Sequence, residues 1–190
     1  MRPLGRVLSA ALAEGAIGAC ALGVGSASAA VRLPPADGQF DYQIGGAYPP
    51  AAGSAIVDRD RTAPPAPGIY NLCYLNALQT QPEDAAWWRA NHPDLLLQSG
   101  SGGGYMTDPG WPGEMLLDTS TPAKRAALAA VEDGWIDGCK AAGYQAVDPD
   151  KLDSWTRSHG RLTAADNEAF ATLLVQHAHA DGLALVERWC

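Results

Sequence analysis

In the segment Tyr144-Gln-Ala-Val-Asp-Pro-Asp-Lys-Leu-Asp153, a short apolar run ends in the carboxylates Asp148, Asp150 and Asp153. Because strand side chains alternate between faces, Asp148 and Asp150 are expected on one face of a strand. Acids at the carboxyl end of a strand are typical of the catalytic rim of α/β barrels, and paired carboxylates are typical of glycoside hydrolysis. A solvated acidic turn is the alternative interpretation, since Asp and Pro are ordinary turn residues.

Residues 1–29 have the pattern of an export signal. A basic start and a small apolar stretch precede an A-x-A site at residues 27–29, which predicts a mature start at Ala30. A lipoprotein cleavage box at residues 17–20 is a second interpretation of the same segment. The chain contains no run of roughly 18 apolar residues, the length that a membrane span needs. We therefore expect a secreted, extracellular protein that does not associate with a membrane.

Composition limits the classes of partner. Removing 29 of the 190 residues leaves 161, which is enough for one domain with a sizeable core. The leader carries Arg2, Arg6 and Glu14, so basic residues fall from 13 to 11, acidic residues from 21 to 20, and the net charge becomes −9. Such a chain disfavours nucleic acid and anionic membranes. An acidic cleft would suit a neutral or cationic substrate.

The cysteines predict one bridge and no metal site. After cleavage Cys73, Cys139 and Cys190 remain, without a C-x-x-C pair, so a structural zinc site is not expected. In an oxidising compartment Cys73 and Cys139 are the natural disulfide, and two buried thiols are the alternative. The Gly-rich residues 99–113 lack the Lys-Ser/Thr ending of a phosphate loop, so we expect no nucleotide and no other cofactor.

Strand-like and helix-like segments alternate along the mature chain. The expected strands are residues 41–45, 55–58, 69–75, 144–147 and 183–186, and the expected helices are residues 83–91, 122–142 and 163–180. Leu128, Val131, Trp135 and Cys139 form an expected buried stripe on the long helix. This alternation predicts a parallel sheet. A (β/α)8 TIM barrel needs about 250 residues, so we expect an incomplete one, with about five of its eight units.

Six segments resemble, in order, those of one known family. They are FDYQIG at 40–45, VDRD at 57–60, YNLCYLN at 70–76, WPGE at 111–114 with LD at 117–118, AVDPDKLD at 146–153 and LTAADN at 162–167. Together they resemble glycoside hydrolase family 114, the endo-α-1,4-polygalactosaminidase type, over residues 40–187. The resemblance implies a (β/α)8-type barrel that cleaves α-1,4-linked galactosamine polymers or related glycans.

The resemblance also implies roles for the acids at 148–153. The family's fourth-strand motif is written E-x-D-N-x-D, in which Asp150 matches the catalytic aspartate and Asp153 matches the last acid. Asp148 stands where the motif has Glu, and Lys151 stands where it has Asn. We therefore expect Asp150 to act as nucleophile or base, with Asp148 or Asp153 in support. Lys151 places a cation beside Asp150, where it could occupy a sugar subsite.

Further residues of the same segments are expected to contact a saccharide. They are Gln43, Asp58, Tyr74, Trp111 and Asp118. The family's second carboxylate is expected on a strand beyond the fifth, where residues 186–190 depart from the family pattern and Glu187 is not a credible substitute. This departure predicts a truncated or frame-shifted member and a weak or inactive hydrolase. The rival hypothesis is a secreted glycan-binding module or an inert remnant.

Overall fold

The structure is a computed structural model that describes residues 30–100 and 102–186. Its strands form one parallel sheet in chain order, comprising β1 (Gln39–Gln43), β2 (Ser54–Asp60), β3 (Tyr70–Leu75), β4 (Ala146–Pro149) and β5 (Ala184–Leu185). The helices are α1 (Ala85–Asn91), α2 (Pro122–Ala142) and α3 (Ala164–Ala180), with 3-10 turns at Pro93–Leu95 and Ser154–Arg157. The expected α/β architecture is confirmed. The predicted export signal at residues 1–29, together with Glu187 and Cys190, lies outside the described residues.

Within the described part of the chain, no helix combines the length and the apolar composition needed to cross a membrane.

The two faces of the sheet have different neighbours. On the face that packs against the helices, Cys73, Leu75 and Val147 belong to the main core, which they share with residues of all three helices. On the opposite face, Tyr70, Leu72, Ala146 and Ala184 form a smaller cluster. Because side chains alternate along each strand, this second face carries the even-numbered residues of β2, β3 and β4. Asp148 in β4, and Asp150 just beyond its carboxyl end, therefore follow on this same face.

Two of the strand boundaries that differ from expectation have a local reason. β4 begins at Ala146 rather than at residue 144, because the N–H of Tyr144 is used in the cap that follows the end of α2 at Ala142. Gly143 adopts a φ of 97° there, and the N–H of Tyr144 donates to the carbonyl of Cys139 at 3.1 Å. β1 ends at Gln43 because Gly46 donates to its carbonyl at 3.2 Å and closes a turn.

Helix α2 begins as expected but buries a different stripe. Thr121 accepts a hydrogen bond from the N–H of Lys124 and caps the helix. Leu128 and Cys139 are buried as predicted, whereas Val131 and Trp135 are only partly buried. The buried face instead runs through Glu132 and Ile136. The stripe is therefore rotated by about one residue from the predicted one.

Glu132 is a carboxyl group in the protein core. It is fully buried, and neither carboxyl oxygen has a hydrogen-bond partner among the described residues. Burial raises the pKa of Glu132 well above its ordinary value, although the charge of Arg61 acts in the opposite direction. The neutral form of this side chain therefore persists to a higher pH than that of an exposed glutamate.

The predicted disulfide is confirmed. Cys73 on β3 and Cys139 on α2 are bonded, with Cα atoms 6.1 Å apart. Both residues are buried, and 66 positions of sequence separate them. The bond therefore fixes the longest helix against the middle strand of the sheet.

An ion cluster joins α2 to α3 at the surface. His177 Nε2 lies 2.6 Å from Asp137 Oδ1 and 3.9 Å from Asp181 Oδ2, and its Nδ1 lies 3.6 Å from Asp133 Oδ2. Partial burial opposes protonation of the ring, but the Asp137 hydrogen bond and the three carboxylate charges outweigh it and raise the pKa of His177. The cluster therefore favours the imidazolium form.

This cluster predicts a pH-dependent stability. Because the folded pKa of His177 lies above the unfolded value near 6.5, the stabilisation is fully present below pH 6.5 and is lost as pH rises through the folded pKa. We expect His177→Gln to lower the free energy of unfolding by about 1 kcal/mol at pH 5.5 and by less at pH 9. Urea denaturation at both pH values measures this. Exposed His179 on the same helix is the control, and an equal effect of His179→Gln would contradict the prediction.

Candidate active site

A cleft of about 820 Å³ opens at the carboxyl ends of the strands. Its walls are the ends of β3 and β4, the turn after β1, and residues 108–114 of the loop that precedes α2. Two cations, Lys151 and Arg157, face the cleft. They are outnumbered by the lining acids Glu83, Asp108, Glu114, Asp148, Asp150 and Asp153. The cleft therefore has a net negative charge.

Asp150 is anchored at the rim of this cleft. Its N–H donates to the carbonyl of Leu75 at 2.7 Å, which ties it to the end of the neighbouring strand. Its Oδ2 accepts from the hydroxyl of Tyr74 at 2.8 Å, and its Oδ1 accepts from the N–H of Lys151 at 2.7 Å. Burial and the neighbouring Asp150 charge raise the pKa of Tyr74, so the phenol remains a proton donor. The side chain of Asp150 is 35% exposed and is thus held in place yet accessible.

Lys151 and Trp111 cover one side of Asp150. Lys151 Nζ lies 3.9 Å from Asp150 Oδ2 and 4.1 Å from the centre of the Trp111 ring. Trp111 is 57% exposed, so its other face is open to solvent. A cation over an indole face is stabilised by the ring quadrupole. The ammonium therefore occupies both a carboxylate and an aromatic surface that a saccharide could use.

The two other acids of the quoted stretch differ in environment. Asp148 is almost fully buried, pairs in register with Tyr74 and lines the cleft below Asp150. Asp153 accepts two hydrogen bonds from Arg157, at 2.7 and 3.0 Å, and these hold the pKa of Asp153 below its usual value. Arg157 also pairs with Asp108 at 2.7 Å. Asp153 is thus committed to an ion-pair network at the edge of the cleft.

Of the five expected sugar contacts, Tyr74 and Trp111 line the cleft, and Gln43, Asp58 and Asp118 do not. Gln43 points to the opposite face of the sheet from Tyr42, and its Oε1 accepts from Arg59 Nε at 2.9 Å. Asp58 is fully buried and in register with Leu72, one layer below the cleft. Asp118 pairs with Lys124 and accepts from the N–H of Ser120 beside the start of α2.

Glu114 is one of the cleft residues that the sequence interpretation did not single out. It is only 6% exposed, and its Oε2 accepts from Asn76 Nδ2 at 3.1 Å. Burial raises the pKa of Glu114, the Asn76 bond and the Lys151 charge oppose this, and the charges of Asp108 and Asp150 add to it. The available signal was an acid between Pro/Gly-rich residues and an apolar run. This signal did not indicate that the side chain of Glu114 points into the cleft.

Among the described residues, one group of side chains has the spacing of metal ligands, and it lies outside the cleft. Asp137, His177 and Asp181 each offer one ligand atom, all within 4.8 Å of one another. His177 belongs to this group and His179, two positions further along α3, does not.

Comparison with known proteins identifies relatives of this architecture. The sequence model of glycoside-hydrolase family GH114 matches residues 23–188. A comparison with curated proteins gives no match. Among solved structures, Ega3 of Aspergillus fumigatus, determined in complex with galactosamine, has a TM-score of 0.63 at 23% identity. The aligned region covers 85% of this chain and 63% of Ega3.

Two further solved structures share the fold. The glycoside hydrolase domain of PelA from Pseudomonas aeruginosa has a TM-score of 0.53 at 21% identity, over 80% of this chain and 58% of that one. The α-galactosidase TtGalA of Thermus thermophilus, in complex with stachyose, has a TM-score of 0.51 at 13% identity, over 84% of this chain and 41% of that one. The chain therefore spans less than two thirds of each of these three solved structures.

Proposed function

Because the chain belongs to glycoside-hydrolase family GH114, we propose that it hydrolyses a galactosamine-type α-1,4-linked polysaccharide. The observation that carries this proposal is Asp150, an accessible carboxylate held by Tyr74 at the strand-end rim of an acidic cleft. Glycoside hydrolysis requires such a carboxylate beside the anomeric carbon, as nucleophile or as base. Asp148 supports Asp150 from below, and Asp153 orders the rim.

The charge of the cleft supports an amino sugar as substrate. Its six acids outnumber its two cations, and the amino group of an unacetylated galactosamine residue is a cation at neutral pH. Opposite charges attract strongly where the surroundings are partly shielded from water. The structure of Ega3 with galactosamine provides a relative in which this sugar is bound.

The proposal places the protein outside the cell. The leader pattern at residues 1–29 and the Cys73–Cys139 disulfide both support secretion, because disulfides persist in oxidising compartments. The test is expression with the native leader followed by amino-terminal sequencing of protein from the medium. A mature start at Ala30 is expected, and retention of the uncleaved chain inside the cell would contradict the proposal.

Incubation with defined oligosaccharides tests the activity. We expect the mature protein to shorten α-1,4-linked galactosamine oligomers, with the products separated and identified by mass spectrometry. Stachyose, an α-galactoside without amino groups, is the comparison substrate and should be cleaved more slowly. Binding of the oligomers without cleavage would favour the second candidate, a secreted glycan-binding module. That candidate is favoured by one observation, the Lys151 ammonium lying over Trp111 and beside Asp150.

Lys151 gives a prediction about affinity. We expect Lys151→Asn to tighten binding of a galactosamine oligomer by about tenfold, because the change exposes the Trp111 face and removes a repulsive charge. Isothermal titration calorimetry measures the dissociation constant. Lys151→Arg keeps the cation and is the matched control. Equal affinities for the unaltered protein and Lys151→Asn would show that the ammonium does not compete with the sugar.

A further inference from the structure

We propose that the ion cluster between α2 and α3 is a binding site for a divalent transition-metal ion of the Zn²⁺ class, with His177, Asp137 and Asp181 as its ligands. Their ligand atoms, one from each side chain, all lie within 4.8 Å of one another. The cysteine spacing argued against a thiolate zinc site, whereas this site uses imidazole and carboxylates. It lies outside the cleft, so the proposal does not depend on the proposed hydrolase activity.

The sequence places the cluster on two facing helices. Asp133 and Asp137 are four positions apart on α2, and His177 and Asp181 are four positions apart at the end of α3. Residues with this spacing lie one above the other on the same side of a helix. Since His177 contacts both aspartates of α2, the two pairs meet across the junction of the helices. A metal ion bound there would join α2 to α3.

The separations of the ligand atoms suit a single ion. His177 Nε2 lies 2.6 Å from Asp137 Oδ1 and 3.9 Å from Asp181 Oδ2. Zinc binds nitrogen and carboxylate oxygen at about 2.0–2.2 Å, which places neighbouring ligand atoms about 3.0–3.4 Å apart. The shorter separation therefore has to lengthen, and the longer one to shorten, by about half an ångström. Small rotations of the two aspartate side chains are sufficient for this.

Asp133 supports the histidine at its other ring nitrogen. His177 Nδ1 lies 3.6 Å from Asp133 Oδ2, while Nε2 faces the other two carboxylates. A histidine that binds a metal almost always donates its second ring N–H to a carboxylate or a carbonyl, which fixes the tautomer and the orientation of the ring. The cluster therefore contains this supporting acceptor as well as the ligands.

The charge of the cluster favours a divalent ion. Among the described residues, the ion pairs of the three aspartates are all with His177. Asp133 Oδ1 is buried and has no hydrogen-bond partner in this part of the chain. An imidazolium balances one of the three negative charges, whereas Zn²⁺ bound to a neutral imidazole balances two. The metal ion thus replaces the imidazolium proton with a larger positive charge.

The ligands are anchored at their backbones and open at their tips. Asp137 precedes by two positions Cys139, which the disulfide fixes to β3. On α3, Ala178 beside His177 is fully buried, and the N–H of Asp181 donates to the carbonyl of His177 at 3.1 Å. The side chains of His177 and Asp137 are 29% and 61% exposed, so an ion can enter from solvent and water can complete its coordination.

The mixture of ligands selects the class of metal. Carboxylates alone suit Ca²⁺ and Mg²⁺, whereas an imidazole nitrogen among them favours zinc and its neighbours in the first transition row. We therefore expect Zn²⁺ to bind much more tightly than Ca²⁺. The expected consequence is structural, because the ion connects two helices at the surface and contacts no residue that lines the cleft.

Zinc titration of the purified protein tests the site. The protein is freed of metal with EDTA, dialysed and titrated with zinc chloride in a calorimeter, and we expect one ion per chain. The Tm should rise by about 5 °C when free Zn²⁺ exceeds its Kd a hundredfold. His177→Gln and Asp181→Asn should each weaken binding by at least about 100-fold, and Asp133→Asn by about tenfold. His179→Gln, at an exposed position of α3, is the matched control and should bind as the unaltered protein does.

Three results would overturn the proposal. The first is unchanged zinc affinity in both His177→Gln and Asp181→Asn, which would place the ion elsewhere. The second is equal affinity for Ca²⁺ and Zn²⁺, which would show an acidic surface without preference for a transition metal. The third is the absence of both binding heat and a Tm shift with zinc. Should His177→Gln not fold, Asp181→Asn decides the matter, because asparagine keeps the shape of the side chain and removes its charge.

Discussion

Asp150→Asn is expected to lower the turnover of galactosamine oligomers by about three orders of magnitude or more, while the fold is retained. Asparagine keeps the shape of the side chain and can still accept the hydrogen bond from Tyr74. It removes the negative charge that either bonds to the anomeric carbon or activates water. Initial rates, measured as reducing ends released, give the loss in kcat, and circular dichroism checks the fold.

Tyr74→Phe is the companion variant for this prediction. It removes the 2.8 Å hydrogen bond to Asp150 and preserves the charge and the packing of the ring. A loss of about tenfold is expected, because a single hydrogen bond to a charged group contributes about 1.5–3 kcal/mol and Asp150 keeps its bond from Lys151. Unchanged turnover in Asp150→Asn would remove this residue from the mechanism.

The largest expected effect on stability comes from the disulfide. Replacing both Cys73 and Cys139 with alanine should lower the free energy of unfolding by about 4 kcal/mol, because the bond closes a 66-residue separation in the unfolded chain. The bond also links the middle strand of the sheet to α2. Urea denaturation of the unaltered protein and the double variant, both without reductant, measures the difference.

Reductant provides the control for the disulfide. Adding it should destabilise the unaltered protein by a similar amount and should leave the double variant unchanged. A difference below about 1 kcal/mol between the two oxidised proteins would mean that the closed loop is already constrained in the unfolded state.

The sequence predicted the parts of the fold that depend on local signals. The alternation of strand and helix and the bounds of α2 were confirmed, and the predicted third helix begins at a capping box formed by Thr163 and Asp166. Each of these depends on residues within a few positions of one another. The pairing of Cys73 with Cys139 spans a longer distance, but few cysteines remained to choose from.

Where the sequence did not predict the direction in which a side chain points, that direction is set by tertiary packing. Gln43 ends β1 two residues before the expected end, and alternation turns Tyr42 rather than Gln43 toward the cleft. Glu132 lies on the buried face of α2, where a hydropathy pattern favours an apolar side chain. Glu114 belongs to a loop whose shape is set by Asn76 and by bridges between distant residues. A one-dimensional pattern contains no information about these contacts.

At Lys151, one substitution is expected to improve both the stability of the fold and the access of substrate to Asp150. Its φ is 68°, in the left-handed region that a long side chain occupies at a cost of about 1 kcal/mol. Asparagine, the family residue at this position, tolerates that region well. Substitutions that stabilise an enzyme often lower its activity, because active sites retain strained groups that serve the reaction. Here Lys151→Asn relaxes the chain and uncovers Asp150 together, so directed evolution for thermal tolerance alone should select the more open cleft.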